Sequence, residues 1–240
     1  MAIAVFNCTP IITRFLSNTG KISVRNGSFR NAKESFNTYF RSGTPKPPYD
    51  HICQVGDPVL RTKATPIELK QIESQEFQNA LDHLFNVLRK YNAAGLSAPQ
   101  IGLPWQVFAI EMTEKSVNAV HPDIKKYCEM EIIPLTYFIN PKLEIRDATQ
   151  VTFSEICGSI TGYQAEVPRA REVEVTALNR LGQKFSWKAK GWSARIAQHE
   201  FDHLQGTLFI DRMNPSTFEC LCWNEVNRHN GKMELSFRPK

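Results

Sequence analysis

His199-Glu200-Phe201-Asp202-His203 sets two imidazoles four residues apart, with a carboxylate directly after the first. On a helix, positions i and i+4 stand one turn apart on the same face, so both rings can reach one metal ion while Glu200 leans toward the water that ion carries. This is hydrolase geometry. Trp192, Ile196, His199, Glu200 and His203 recur at i, i+4, i+7, i+8 and i+11, which predicts a helix over 191–205 with this stripe buried. Buried imidazoles and carboxylates need partners, and a metal ion supplies them. Gly206 is expected to cap the helix at its C-terminus.

A divalent ion held by two histidines needs a third protein ligand, and that ligand separates enzyme classes. A histidine six residues after His203 would fall at position 209, which is Phe209, so the extended metzincin pattern fails. A glutamate downstream, as in thermolysin-like zinc endopeptidases, could be Glu219 or Glu225; the intervening 206–210 reads as a strand, followed by a break at Asn214-Pro215. Cys157 is the third candidate, giving a site of two histidines and one thiolate with a position open for water.

Three segments then appear in order: Gly95-Leu96-Ser97-Ala98-Pro99-Gln100-Ile101-Gly102, Glu155-Ile156-Cys157-Gly158-Ser159, and the histidine segment extended to Gln198–Gly206. Together they resemble the three signature motifs of peptide deformylase, and Val55-Gly56-Asp57-Pro58-Val59-Leu60-Arg61 resembles that family's N-terminal region. Val167-Pro168-Arg169 and Gly191-Trp192-Ser193-Ala194-Arg195 are most similar to the animal mitochondrial type. The resemblance implies an α+β fold with antiparallel β-sheets packed around a central metal-binding helix. It implies removal of the formyl group from the N-terminal formylmethionine of nascent polypeptides, releasing formate. Cys157, His199 and His203 would hold one divalent ion, Fe2+, Zn2+ or Co2+, and Glu200 would accept the proton of the attacking water and pass it to the leaving amine. The Gln100 amide and the Gly158 N–H would donate hydrogen bonds to the oxyanion, and Gly95 would lie beside the substrate strand.

The chain departs from the family at two places. The family usually has glycine before the ligand cysteine and often leucine or glutamate after it; here they are Ile156 and Gly158. Isoleucine resists torsions that glycine allows, so the sequence predicts a displaced oxyanion donor and a turnover that Ile156→Gly would raise. Two other readings stay open: the thermolysin-like endopeptidase, and a catalytically weakened, non-enzymatic deformylase relative.

Composition bounds the rest. With 240 residues and 42% hydrophobic content the chain can bury a sizeable core, and no apolar run approaches the roughly 20 residues of a membrane span. The net charge of +5 is not a nucleic-acid signature, because residues 1–48 carry seven basic residues against Glu34, while the remaining 22 basic and 23 acidic residues nearly cancel. A leader rich in Arg, Ser and Asn and poor in acids reads as a mitochondrial transit peptide, with Thr44-Pro45-Lys46-Pro47-Pro48 as linker into a catalytic domain over 49–240. The expected location is the matrix, with the mitochondrial ribosome as an open partner of the tail 223–240. Six cysteines without a secretory signal read as reduced thiols, Cys220 and Cys222 as ordinary packing.

Helical spacing of Phe77, Leu81, Leu84, Phe85 and Leu88 predicts a helix over 74–91 capped by Ser74, with His83 on its surface. Residues 95–102 read as a loop. Strands are expected over 105–111, over 132–139 and 142–146 broken by Asn140-Pro141, through Val173, Val175 and Ala177, and over 184–188 after a turn at 179–183.

Overall fold

The structure is a computed structural model that describes residues 45–239. The expected leader, save its last four residues, lies outside the described residues. In chain order the elements are α1 (Leu69–Ile72), α2 (Gln75–Lys90), β1 (Gly95–Ser97), β2 (Val107–Met112), α3 (Glu114–Asn118) and α4 (Pro122–Tyr127). There follow β3 (Ile133–Ile156), β4 (Tyr163–Leu178), β5 (Lys184–Lys190), α5 (Gly191–Leu204), β6 (Glu219–Cys220) and α6 (Trp223–Arg228). The strands form one antiparallel sheet in the order β1-β2-β3-β4-β5, with β6 paired to β4.

β2 is buried on both faces, and its period of two decides which helix each side chain meets. Phe108 and Ile110 pack with Phe138, Trp192 and Ile196 beneath α5, whereas Val107 and Ala109 pack with Phe77, Leu81, Leu84 and Leu88 of α2. Each fully buried leucine or phenylalanine contributes about 1.5–3 kcal/mol relative to an exposed one. The sheet thus lies between two helices, and α5 contacts all of β1–β5.

Both expected helices form. Ser74 Oγ accepts the Phe77 N–H at 3.3 Å at the start of α2. α5 ends where Gly206 takes φ +72, a left-handed conformation that glycine adopts without a Cβ penalty, and the Thr207 N–H returns to the Asp202 carbonyl at 3.0 Å.

Four expectations are corrected. Asn140-Pro141 does not break a strand: β3 runs through it as a bulge, with Ile139 opposite Leu178 and Lys142 opposite Thr176. Asn140 sits at φ 50 and its amide bonds the N–H and carbonyl of Ile67, so the bulge anchors the N-terminal segment. Gly95–Ser97 is an edge strand on β2, and 98–101 a 3₁₀ turn, in place of a loop. Residues 209–211 form a 3₁₀ turn instead of a strand. His83 is partly buried, its Nε2 3.0 Å from the Tyr49 carbonyl oxygen.

Candidate metal centre

The end of β3 and one face of α5 converge. Cys157 follows the last residue of β3, and His199 and His203 stand one turn apart on α5. Their ligand atoms all lie within 4.8 Å of one another and all three residues are buried; Cys157 Sγ is 3.3 Å from His203 Nε2. Strand periodicity sends Glu155 to the same side as Cys157. Glu155 Oε2 is 2.9 Å from His199 Nδ1, which leaves His199 Nε2 for an ion.

Glu155 is itself fully enclosed. Arg169 binds it through two bonds of 2.9 Å and Arg195 through one of 2.7 Å, and Arg169 also reaches Asp202, which Arg212 holds at 2.6 and 2.7 Å. Burial would push the Glu155 carboxyl up, but the hydrogen bonds and charge of Arg169 outweigh it and hold the group well below the usual carboxylate range. Such a network tolerates no missing member, because an uncompensated buried charge costs roughly 3–5 kcal/mol.

Burial favours neutral imidazole at both histidines. At His199 the Cys157 sulfur and Glu155 reverse the effect and raise its pKa, whereas at His203 burial and the neighbouring His199 lower it. Burial also lifts Glu200 to about 7, against the opposing pull of His199. Among the described residues, Glu200 Oε2 and His203 Nδ1 are the buried side-chain polar atoms without a partner. A thiolate, two imidazoles and an adjacent carboxylate with an unpartnered oxygen fit one divalent ion.

The other sequence-named residues gather here. Gln100 Oε1 accepts the N–H and hydroxyl of Ser97, both at 3.0 Å, which fixes the amide so that its Nε2 faces Cys157 Sγ at 3.6 Å and Ser159 Oγ at 3.3 Å. The Cys157 carbonyl accepts the Ile160 N–H at 3.0 Å, so the trans peptide turns the Gly158 N–H the opposite way. Gly95 meets Glu200 directly: a Cβ there would stand 2.7 Å from Glu200 Oε1, so glycine is required for the close approach of strand and carboxylate.

The torsional argument against Ile156 does not hold. Ile156 pairs with Gln164 in regular extended backbone, and neither it nor Gly158 has positive φ. Gly158 serves space instead, since a Cβ at that position would lie 2.7 Å from Ile52 Cδ1. Ile156→Gly is therefore expected to leave turnover on formyl-Met peptides unchanged and to lower stability by at least about 2 kcal/mol, checked by paired kinetics and denaturant melts. Glu219 and Glu225 lie elsewhere: Glu219 bonds Gln164 and Glu225 bonds Arg228.

The sequence had not marked Glu155, Arg169, Arg195 and Asp202 as a support for the candidate metal ligands. The available signal was the two-residue spacing of Glu155 from Cys157 on a strand.

This fold and donor set define a metal-dependent hydrolase. The family model for polypeptide deformylase matches residues 49–219. The chain is 46% identical over 185 residues to the human mitochondrial peptide deformylase, covering 77% of this chain and 76% of that protein. It is 40% identical over 167 residues to the chloroplastic peptide deformylase 1A of Solanum lycopersicum, covering 70% and 60%. A plant peptide deformylase crystal structure aligns with a TM-score of 0.59 at 32% identity, covering 78% of this chain and 89% of that one. The chain belongs to the peptide deformylase family. It is a metal-dependent enzyme that removes the formyl group from the N-terminal formylmethionine of newly made polypeptides.

Proposed function

We propose that Cys157, His199 and His203 hold the ion and that Glu200, Gln100 and Gly158 carry the reaction. The observation that supports this most directly is the placement of Cys157 Sγ 3.3 Å from His203 Nε2 beside the buried Glu200. When bound, an ion of the Fe2+, Zn2+ or Co2+ type supplies Lewis acidity toward a water and the formyl carbonyl. Glu200 takes the proton of the attacking water and delivers it to the departing amine, for which its unpartnered Oε2 is free. The Gln100 Nε2–H and the Gly158 N–H donate to the oxyanion as it forms; both are oriented by bonds on their far sides, so little reorganisation is needed. Gly95 lies on β1, an edge strand of the sheet, and offers backbone beside which an extended substrate can lie. Formate release from a formyl-Met tripeptide, with no cleavage of an unblocked peptide, tests this reading; internal cleavage without formate release would favour an endopeptidase.

We further propose that the enzyme works in the mitochondrial matrix on chains leaving the ribosome, as catalytic domain 49–240 behind a transit peptide and linker, 1–48. The +6 leader on a nearly neutral body supports it. No helix among the described residues is long and apolar enough to cross a membrane. A reporter fused to residues 1–48 is expected to enter mitochondria and be shortened there. Retention of the intact fusion in the cytosol would reject the assignment.

A further inference from the structure

The space bounded by Cys157, His199 and Glu200 measures about 20 Å³, room for one water, whereas the substrate brings a formyl group, a methionyl side chain and the polypeptide behind it. A wall that yields would widen this space for the substrate. Most of it is fixed: Gly95 and Leu96 are paired to β2, Ile156 to β4, His199 and Glu200 belong to α5, and Ser97 pins Gln100. Ile52 and Tyr91 are held too, with the Cys53 N–H on the Gln100 carbonyl at 2.8 Å and the Tyr91 N–H on the Val87 carbonyl at 3.0 Å, but they carry one tie that the rest of the wall lacks. The Tyr91 hydroxyl accepts the Ile52 N–H at 3.3 Å and donates to the Phe237 carbonyl at 2.9 Å. Ile52 in turn lies against Gly158. This part of the wall is therefore tied to the C-terminal segment.

Met233-Glu234-Leu235-Ser236-Phe237 alternates apolar and polar residues, as an extended peptide does. It meets the body at both sides of the site. Leu235 covers Gly162, where a Cβ would stand 2.9 Å from Leu235 Cδ2, and Gly162 closes the loop that begins with Cys157. Phe237 reaches Tyr91 at the end of α2. Met233, Leu235 and Phe237 are 41%, 40% and 53% exposed, and apart from the Tyr91 bond to the Phe237 carbonyl the backbone bonds of the segment are local, from Met233 N–H to the Gly231 carbonyl and from Arg238 N–H to Ser236 Oγ. Partial cover and local bonds place a segment at the easily opened end of a structure.

We propose that residues 233–238 are a strap that holds Ile52 and Tyr91 over the substrate site, and that an incoming formyl-methionyl chain displaces it. This rests on the site reading above. None of the strap's residues lines the cavity around Cys157, His199 and Glu200, so the strap controls access without taking part in the chemistry. It raises the apparent KM by the reciprocal of the fraction of molecules in which it is open.

The full-length protein carrying Leu235→Ser is the test, with a formyl-Met tripeptide as substrate. KM is expected to fall about threefold or more while kcat and metal content stay unchanged. A KM that is unchanged overturns the proposal, and a KM that rises makes the segment part of the substrate's binding surface instead. If the unmodified protein, metal-loaded, releases no formate either, the site reading fails and the strap with it. Hydrogen exchange gives a second readout that does not depend on the substitution. A methionyl tripeptide bound to the unmodified protein is expected to speed amide exchange over 233–238, and slowed or unaltered exchange there overturns displacement.

Discussion

Cys157→Ala is expected to remove metal and activity together. The substitution leaves two imidazoles in a buried site and takes away the anionic donor, whose sulfur lies 3.3 Å from His203 Nε2. A divalent ion enclosed in protein needs that negative charge against its own desolvation, so metal content measured after purification is expected to fall to a small fraction of the parent's. Formate release should fall in proportion. Glu219→Gln is the matched control, because Glu219 pairs with Gln164 on β6 and β4 and has no ligand atom in the cluster. It is expected to leave metal content within experimental error of the parent. Metal retained in Cys157→Ala and lost in Glu219→Gln would move the third ligand to the position used by thermolysin-like enzymes.

That choice of ligand shows how much the sequence could carry. The histidine pair, its helix and the burial of its stripe follow from local spacing, because i, i+4 and i+7 lie on one face whatever the rest of the chain does. Spacing alone left Cys157, Glu219 and Glu225 open, the strand and break after 206 permitting the glutamates without favouring them. They are separated by long-range topology, since β3 ends under α5 while β6 ends at the far side of β4. The motif resemblance favoured Cys157, and the geometry groups Cys157, and neither glutamate, with the two histidines.

Where the reading failed, a distant partner had overruled a local signal. Asn140-Pro141 carries a strong break signal, yet the bulge it produces is stabilised by the Ile67 backbone, 73 residues away in sequence. Gly95-Leu96-Ser97 has too little length to announce a strand and becomes one because β2 lies beside it. By residue type Ile156 threatens the oxyanion donor, but its effect depends on a torsion that only the register with Gln164 reveals. The Glu155, Arg169 and Asp202 network was hidden for the same reason: each residue is an ordinary charged side chain until the sheet and α5 enclose it.

Glu200→Gln is expected to separate metal binding from turnover. Glu200 supplies no ligand atom to the Cys157, His199, His203 cluster, so the variant should keep its metal. Glutamine has nearly the volume of glutamate, and Gly95 leaves the close gap that the side chain occupies, so the packing survives. Stability should not fall either, because burial already disfavours the charged carboxylate, lifting its pKa to about 7, and a neutral amide avoids that penalty. What the amide cannot do is accept a proton from water and return it to the amine. The usual worth of a general base then predicts a loss in kcat of about a hundredfold or more, equivalent to at least roughly 2.7 kcal/mol of transition-state stabilisation. Metal analysis, a thermal melt and formate release on one preparation test all three parts. A variant with full metal, an unchanged melt and turnover within about threefold of the parent would take Glu200 out of the mechanism and leave the proton transfer to another group.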